Sequence, residues 1–359
     1  MKIAVILNPK SRDGRSTKKF AVLFEALTAA GFISPEILYT ERAGHACDLA
    51  YALRDRDDLS LVVAVGGDGT VSEVASGLRG SNKVLGIVPM GSGDDLARAM
   101  GVPRKDIDAA VQLLKNGADH RVGAVRVEGP PAPPPQEQTL PTAYECNGPA
   151  TREGNIVRWS FLETDAGVTS IVNRMKTEGK FSWIPGQLKY QMLGVRAICG
   201  WKPQRTWFKL NGGETQTVDL QGLFVVQMCE TFGGGFRGAP GMHPKKPHAS
   251  ILTSLQLSKL QMLRVMGPLK EGKHIGMYGD GKVTLGECFS FQIGGCDAEG
   301  NPALTTGHAP PLYVTVDGEC VITTPASFEF HADQLTIRGA ARLPNEELAA
   351  AGGSGANAL

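Results

Sequence analysis

The chain has 359 residues, 42% of them hydrophobic and 20% charged, which excludes intrinsic disorder and exceeds what one core usually organises, so two domains are expected. Lys and Arg total 37 against 36 Asp and Glu, a net charge of +1, and this balance lacks the basic bias of a general nucleic-acid binder. Seven scattered cysteines with no Cys-x-x-Cys pair suit free thiols of a reducing compartment, and no apolar run approaches ~20 residues, so a cytoplasmic protein is expected.

In chain order, Ile3 to Leu7 is an apolar strand followed by a polar turn, Asn8 to Gly14. Phe20, Leu23, Phe24 and Leu27 mark a helix stopping at Gly31, a strand covers Pro35 to Thr40, and Ala46, Leu49, Ala50 and Leu53 repeat the helical spacing. Leu61 to Val65 then runs into Gly66-Gly67-Asp68-Gly69-Thr70, with apolar Val71, Val74, Ala75 and Leu78 beyond. That pattern is a buried strand, a tight glycine turn and an amphipathic helix. Glycines there let the backbone approach a bulky anion, and the N–H groups and dipole of the helix start favour phosphate. Asp68 would repel bound phosphates unless a divalent cation or a proton lay between, so the stretch suggests a magnesium nucleotide. A strand from Val84 to Pro89 leads into a second glycine loop, Met90-Gly91-Ser92-Gly93-Asp94-Asp95, and two helices follow, with Leu96 to Met100 and Ile107 to Leu114. Repeated βα units predict a doubly wound parallel-sheet domain over residues 1–127, with ligands bound at the carboxyl ends of the strands, where both glycine loops fall.

The proline-rich stretch from Gly129 to Gln138 reads as an exposed linker or insert, residues 128–141. Residues 142–342 are mostly strands: helices are expected around Val168 to Met175 and Gly186 to Cys199. Strands are expected at Thr206 to Leu210, Gln216 to Leu220, Leu223 to Cys229, Ile251 to Leu257, Lys282 to Ile293, Leu312 to Val316, Cys320 to Thr324, Ser327 to Phe330 and Gln334 to Ile337. Asn211-Gly212-Gly213 and Asp317-Gly318-Glu319 read as hairpin turns. This half is a mostly antiparallel β-sandwich or barrel-like domain, whose last strand is a candidate to return to the first domain, and the Ala/Gly-rich tail 343–359 is expected to be disordered.

The order Asn8-Pro9-x-Ser11, Thr40-Glu41-Arg42-x-Gly44-His45, Gly66-Gly67-Asp68-Gly69-Thr70-x-x-Glu73 and Pro89-x-Gly91-Ser92-Gly93-x-Asp95-Leu96-Ala97-Arg98 resembles the diacylglycerol kinase catalytic-domain family, which includes bacterial lipid kinases, sphingosine kinases and ceramide kinases. Gly186-x-Leu188-x-Tyr190, Phe232-Gly233-Gly234-Gly235, Gly272-x-His274 and Val316-Asp317-Gly318-Glu319 continue it. The resemblance implies transfer of the γ-phosphate of ATP to a lipid hydroxyl in the cleft between the two domains. It implies nucleotide contacts from Asn8, Arg12, Thr40, Gly66, Gly67, Asp68, Gly69, Thr70, Glu73, Gly91, Ser92, Gly93 and Asp95. Asp317 would be the base, with Asp68 and Glu319 supporting magnesium through its waters. It also implies a lipid substrate met at a membrane surface, with peripheral contact at the inner face, no nucleic acid, and an oligomeric state left open, a homodimer included. Trp183, Trp201 and Trp207 are candidates for a lipid pocket, core packing being their default role.

Four positions depart from the family pattern. Asp94 stands where an Asn is usual, Arg121-Val122-Gly123 replaces Asp-Leu-Gly, Cys229-Glu230-Thr231 lacks the Asn expected before the triple glycine, and Met242 to His248 replaces an acidic magnesium-binding stretch. A hard-cation site cannot be built from Lys245 and Lys246. These departures keep two alternatives open: an inactive nucleotide- or lipid-binding protein on the same fold, and an NAD kinase-like enzyme.

Overall fold

A computed structural model describes residues 2–9, 17–133, 145–180, 187–279, 281–307 and 309–346. The N-terminal lobe contains β1 (Ile3–Leu7), α1 (Thr17–Ala29), β2 (Glu36–Tyr39), α2 (His45–Ala52), β3 (Leu61–Gly66), α3 (Asp68–Leu78), β4 (Val84–Pro89), α4 (Asp95–Ala99) and α5 (Ile107–Asn116). Strands run in the order β2-β1-β3-β4, all parallel. Because side chains alternate along a strand, Ile3, Val5, Leu61 and Val63 pack with Leu23 and Leu27 of α1 and Val111 of α5. Ala4, Ile6, Val62 and Ala64 pack on the other face with Ala46 of α2 and Val74 of α3. Both faces are covered, which is why these strands read as unbroken apolar runs.

The chain continues through β5 (Ala118–Gly129), β6 (Ile156–Ser160), β7 (Glu163–Gly167), α6 (Val168–Thr177), α7 (Gln187–Gly200), β8 (Gln204–Leu210), β9 (Gln216–Leu220) and β10 (Leu223–Gln227). It closes with β11 (Ala249–Ser254), α8 (Lys259–Glu271), β12 (Val283–Cys288), β13 (Ser290–Gly295), β14 (Tyr313–Val316), β15 (Glu319–Thr323) and β16 (Ala326–Gly339). Strands β12-β11-β10-β7-β14-β15 form an antiparallel sheet. It packs on a second sheet through an aromatic cluster in which Phe224 meets Phe208 and Phe291 at ring-centroid distances of 5.0 and 5.1 Å. The result is an α/β domain followed by an antiparallel β-sandwich.

The two lobes share one sheet. Thr336 and Ile337 of β16 pair in parallel with Val84 and Leu85 of β4, while the start of β16 pairs antiparallel with β13 in the sandwich. β5 runs antiparallel to β16 along nearly its whole length.

Several expectations change. The single strand expected from Lys282 to Ile293 is two strands in different sheets, because the chain turns at Phe289, whose N–H, like that of Ser290, donates to Asn211 Oδ1. Conversely, the two strands expected at Ser327 to Phe330 and Gln334 to Ile337 are one, β16, carrying a register shift where His331 to Asp333 interrupt the apolar pattern. Helix α8 contains Pro268 and escapes the periodicity argument, although Ser258 and Gln261 close a capping box at its start. The segment 128–141 is not a linker throughout. Glu128 and Gly129 lie in β5, and Ala132 N–H donates to Val321 O at 2.8 Å, so past β5 the chain crosses to pair with β15 of the other sheet as far as residue 132. The tail begins later than residue 343, since Leu343 is buried in the N-terminal core and Glu346 pairs with Lys245. The proline-rich residues 134–144 and the tail 347–359 lie outside the described residues.

Candidate active site

The two glycine loops lie back to back. A Cβ added to Gly91 would come within 2.6 Å of Gly67 Cα, and one on Gly66 within 2.6 Å of Thr70, so both positions are held to glycine by close approach. Gly67 starts α3 without a side-chain cap, and a Cβ on Gly69 would meet nothing within 4 Å, so the helix start faces open space. That space is a cleft of about 640 Å³, partly open to solvent, bordered by Asn8, Thr40, Gly69, Thr70 and Glu73. Asn8 Nδ2 donates to Thr70 Oγ1 at 3.1 Å, tying the end of β1 to the first turn of α3. An uncapped helix start beside glycines suits a phosphate chain. Arg12 lies outside the described residues.

Asp68 does not stand free in the cleft. Its two oxygens accept the N–H groups of Asp94 (2.8 Å) and Asp95 (2.7 Å), capping the start of α4. Burial, with the Asp95 and Asp94 carboxylates next to it, pushes its pKa up to about 7. Asp95 accepts from Thr231 Oγ1 (2.7 Å) and Gly234 N (2.8 Å), which fastens the triple-glycine loop of the sandwich onto the second glycine loop. Thr231 therefore supplies a donor from the segment that lacks the family's Asn. Asp94 accepts from Gly91 N at 2.9 Å, a role an Asn oxygen could also fill, and its charge faces Arg104 at 4.0 Å. Arg121 donates to Asp333 O on β16, not toward the glycine loops, and Gly123 N donates to Pro244 O, so two departures from the family pattern are neighbours in space.

Glu73, expected at the nucleotide, accepts from Gly44 N (2.9 Å) and Ala46 N (3.1 Å) and so anchors the start of α2 from the cleft wall; burial raises its pKa to about 7. Glu319 pairs with Arg158 at 3.2 Å. With Asp68 and Glu319 thus engaged, and no group of three His, Cys, Asp or Glu among the described residues arranged around a common point, a magnesium ion would depend chiefly on nucleotide oxygens and water.

Asp317 occupies the left-handed region (φ 47°) at the β14–β15 hairpin, and five donors converge on its carboxylate. Ser72 Oγ from α3 donates at 2.5 Å and Ser160 Oγ at 2.6 Å; the N–H groups of Phe161, Leu162 and Glu163 lie at 3.1, 3.0 and 3.3 Å. Burial raises its pKa and these donors oppose the rise. Asp317 borders a recess with Gly69, Ser72, Glu73 and Glu319, and Gly69 and Glu73 also border the cleft at the start of α3. The hairpin and α3 thus meet at one carboxylate.

Behind it lies a larger apolar cavity of about 1050 Å³, partly open to solvent, bounded by α6, α7, α8 and β10 to β12. Glu163 and Asp165 of β7, Phe232, Phe236, Met262 and Met266 are on its wall. Trp201 and Trp207 are not: their Nε1 groups donate to Leu220 O and Ala303 O inside the core. Trp183 lies outside the described residues. Ser160 and Glu163 were not visible as site residues in the sequence, because Asp317, which defines their place, is 157 and 154 positions away. His45 and His274 play structural parts: His45 Nδ1 accepts from Glu41 N, and His274 Nε2 lies 3.2 Å from Gly238 O.

Two lobes sharing a sheet, glycine loops at strand ends and a carboxylate facing them across the cleft define a phosphotransferase architecture. Residues 2–127 match the diacylglycerol kinase catalytic domain, and residues 163–339 match the YegS C-terminal NAD kinase beta sandwich-like domain. Residues 2–127 thus carry the catalytic domain of the diacylglycerol kinase family. It is 26% identical over 275 residues to a diacylglycerol kinase of Bacillus subtilis, covering 76% of this chain and 79% of that one. A sphingoid long-chain bases kinase of Arabidopsis thaliana is 37% identical over 127 residues, 32% of this chain and 16% of that one. A crystal structure of a diacylglycerol kinase from Bacillus anthracis has a TM-score of 0.63 at 16% identity, covering 94% of this chain and 96% of that one, a likeness of fold. Among the described residues no helix is long and apolar enough to cross a membrane.

Proposed function

We propose that the chain transfers the γ-phosphate of ATP to the hydroxyl of a lipid seated in the apolar cavity, with Asp317 as general base. The observation that carries this reading is the Asp317 cradle: a buried carboxylate, fixed by Ser72 of the glycine-loop helix on one side and by Ser160 and the N–H groups of Phe161, Leu162 and Glu163 on the other, bordering the recess beside the cleft while its hydrogen-bonded neighbour Glu163 lines the apolar cavity. Asp317 takes the proton of the acceptor hydroxyl, the hydroxyl oxygen bonds to the γ-phosphorus, and the bond from that phosphorus to the β-phosphate oxygen breaks, releasing ADP. Gly67, Gly69 and Thr70 offer backbone N–H groups to the phosphates, and Asp68 keeps the two loops in register. A magnesium ion bound with the nucleotide would sit on phosphate oxygens and waters, with Asp68 and Glu319 beyond those waters, and would supply charge neutralisation. The lipid is met by peripheral contact with a membrane surface.

The test is transfer of labelled γ-phosphate to diacylglycerol, ceramide and a sphingoid base in mixed micelles, with Asp317→Asn beside the parent. Loss of about 10²-fold or more in the variant, with ATP binding intact, supports the assignment. Undiminished turnover in Asp317→Asn refutes the base.

A further inference from the structure

Glu163 and Asp165 are two apart on β7, so both project from the same face, into the apolar cavity. Asp165 accepts from Thr169 Oγ1 at 2.7 Å and Asn173 Nδ2 at 3.3 Å, which occupies the nearest neutral donors. Glu163 is 8% exposed, and no hydrogen bond or ion pair reaches its carboxylate from the described residues. The charges that act on it most strongly are those of Asp317, Asp95, Asp165 and Asp68, all of one sign. Among the described residues no Lys or Arg lines the cavity. His274, also on the wall, is kept neutral by burial, and with Nε2 on Gly238 O its Nδ1 is an acceptor without a partner. The polar end of this cavity is therefore rich in acceptors and anionic groups and poor in donors, while the rest is aliphatic and aromatic. A buried carboxylate in that setting calls for a cation with several N–H donors.

Resting on the kinase reading above, we infer that the acceptor is a long-chain amino alcohol whose ammonium group docks on Glu163 and Asp165 while its alkyl chain fills the cavity. Glu163 is a direct neighbour of the base: its N–H donates to Asp317 Oδ1 at 3.3 Å, and Asp317 N–H donates to its carbonyl at 2.8 Å. A hydroxyl on the carbon next to the amine-bearing one is thereby brought to Asp317. Glu163 and Asp165 are specificity residues in this arrangement, and the proton transfer belongs to Asp317 alone.

The experiment compares sphinganine, its N-acetyl amide and diacylglycerol as acceptors in mixed micelles with magnesium ATP, for the full chain and for Glu163→Gln. The amine is expected to exceed both neutral lipids by about 10-fold or more in kcat/KM; Glu163→Gln is expected to erase that preference by raising KM for the amine far more than for either neutral lipid. Equal use of the amide or the diacylglycerol by the parent overturns the inference while leaving the lipid kinase intact, as does a uniform loss on all three lipids in Glu163→Gln. If no lipid is phosphorylated, the kinase reading falls, and thermal shifts with dodecylamine and dodecanol decide the cation site separately. Stabilisation by the amine alone, abolished in Glu163→Gln, upholds it, and equal effects of the two ligands overturn it.

Discussion

Replacing Ser72 with Ala removes one of the two hydroxyl donors to Asp317, the 2.5 Å contact from α3, and leaves the base itself in place. A hydrogen bond to a charged acceptor contributes about 1.5–3 kcal/mol, and it favours the ionised carboxylate over the acid. At about 1.4 kcal/mol per pKa unit, its loss raises the Asp317 pKa by about 1–2 units. The acidic limb of the kcat/KM profile should move to higher pH by that amount. On the falling part of the limb the variant should lose about 10–100-fold, recovering to within a few-fold where both proteins have Asp317 ionised. The assay is labelled phosphate transfer across about pH 5.5 to 9.5, with Ser160→Ala as a second variant expected to shift the limb in the same direction. A uniformly reduced profile with the limb unmoved would refute the reasoning, for Ser72 would then position Asp317 without tuning it.

Asp68, Glu73 and Asp165 are each raised to about 7 by burial, from ordinary values of 3.8, 4.5 and 3.8. The folded chain keeps these protons from about pH 4 to pH 7 while the unfolded chain releases them, so stability falls as pH rises through that window. The melting temperature of the ligand-free chain should therefore drop between pH 5 and pH 7, and less so in Asp165→Asn; a rise would contradict the assignment. Gly91→Ala sets a Cβ 2.6 Å from Gly67 Cα and should weaken ATP binding by about 10-fold or more, with a stability loss of about 1–3 kcal/mol, read by calorimetric titration and thermal melting. Cys47 of α2 and Cys146 bring their sulfur atoms within 2.8 Å, so the two-electron oxidant diamide should join them, the thiol protons and electrons passing to its azo group. Peptide mass mapping should find that cross-link in the parent and not in Cys47→Ser.

The N-terminal lobe was legible because its strands are short, apolar and separated by helices of clear period, so β1 and α5 fall where Ile3 to Leu7 and Ile107 to Leu114 place them. The glycine loops were legible as tight turns at strand ends, but the contact of Gly67 with Gly91 was not, since nothing local encodes the approach of one turn to another. Polar residues hid β16: His331 to Asp333 sit where the strand leaves one core and has not yet entered the next. The proposed base could be named only through the family resemblance, because Asp317-Gly318 alone is a hairpin turn. Glu163 had no local mark at all; its meaning comes from the apolar wall built by α6, α7 and α8 and from the hairpin that Asp317 turns.

The sharing of β16 between lobes bears on how the protein is made. During synthesis the β4 edge that β16 will cover emerges early and has no strand on that side until residues 336 and 337 leave the ribosome. Until then the N-terminal sheet carries an open parallel edge, the surface most prone to wrong pairing with another nascent chain. A fragment ending before β16 would keep both glycine loops and still lack the strand that seals their sheet. The cleft is consequently a late product of translation: a truncated chain has both glycine loops long before it has a finished sheet to hold them.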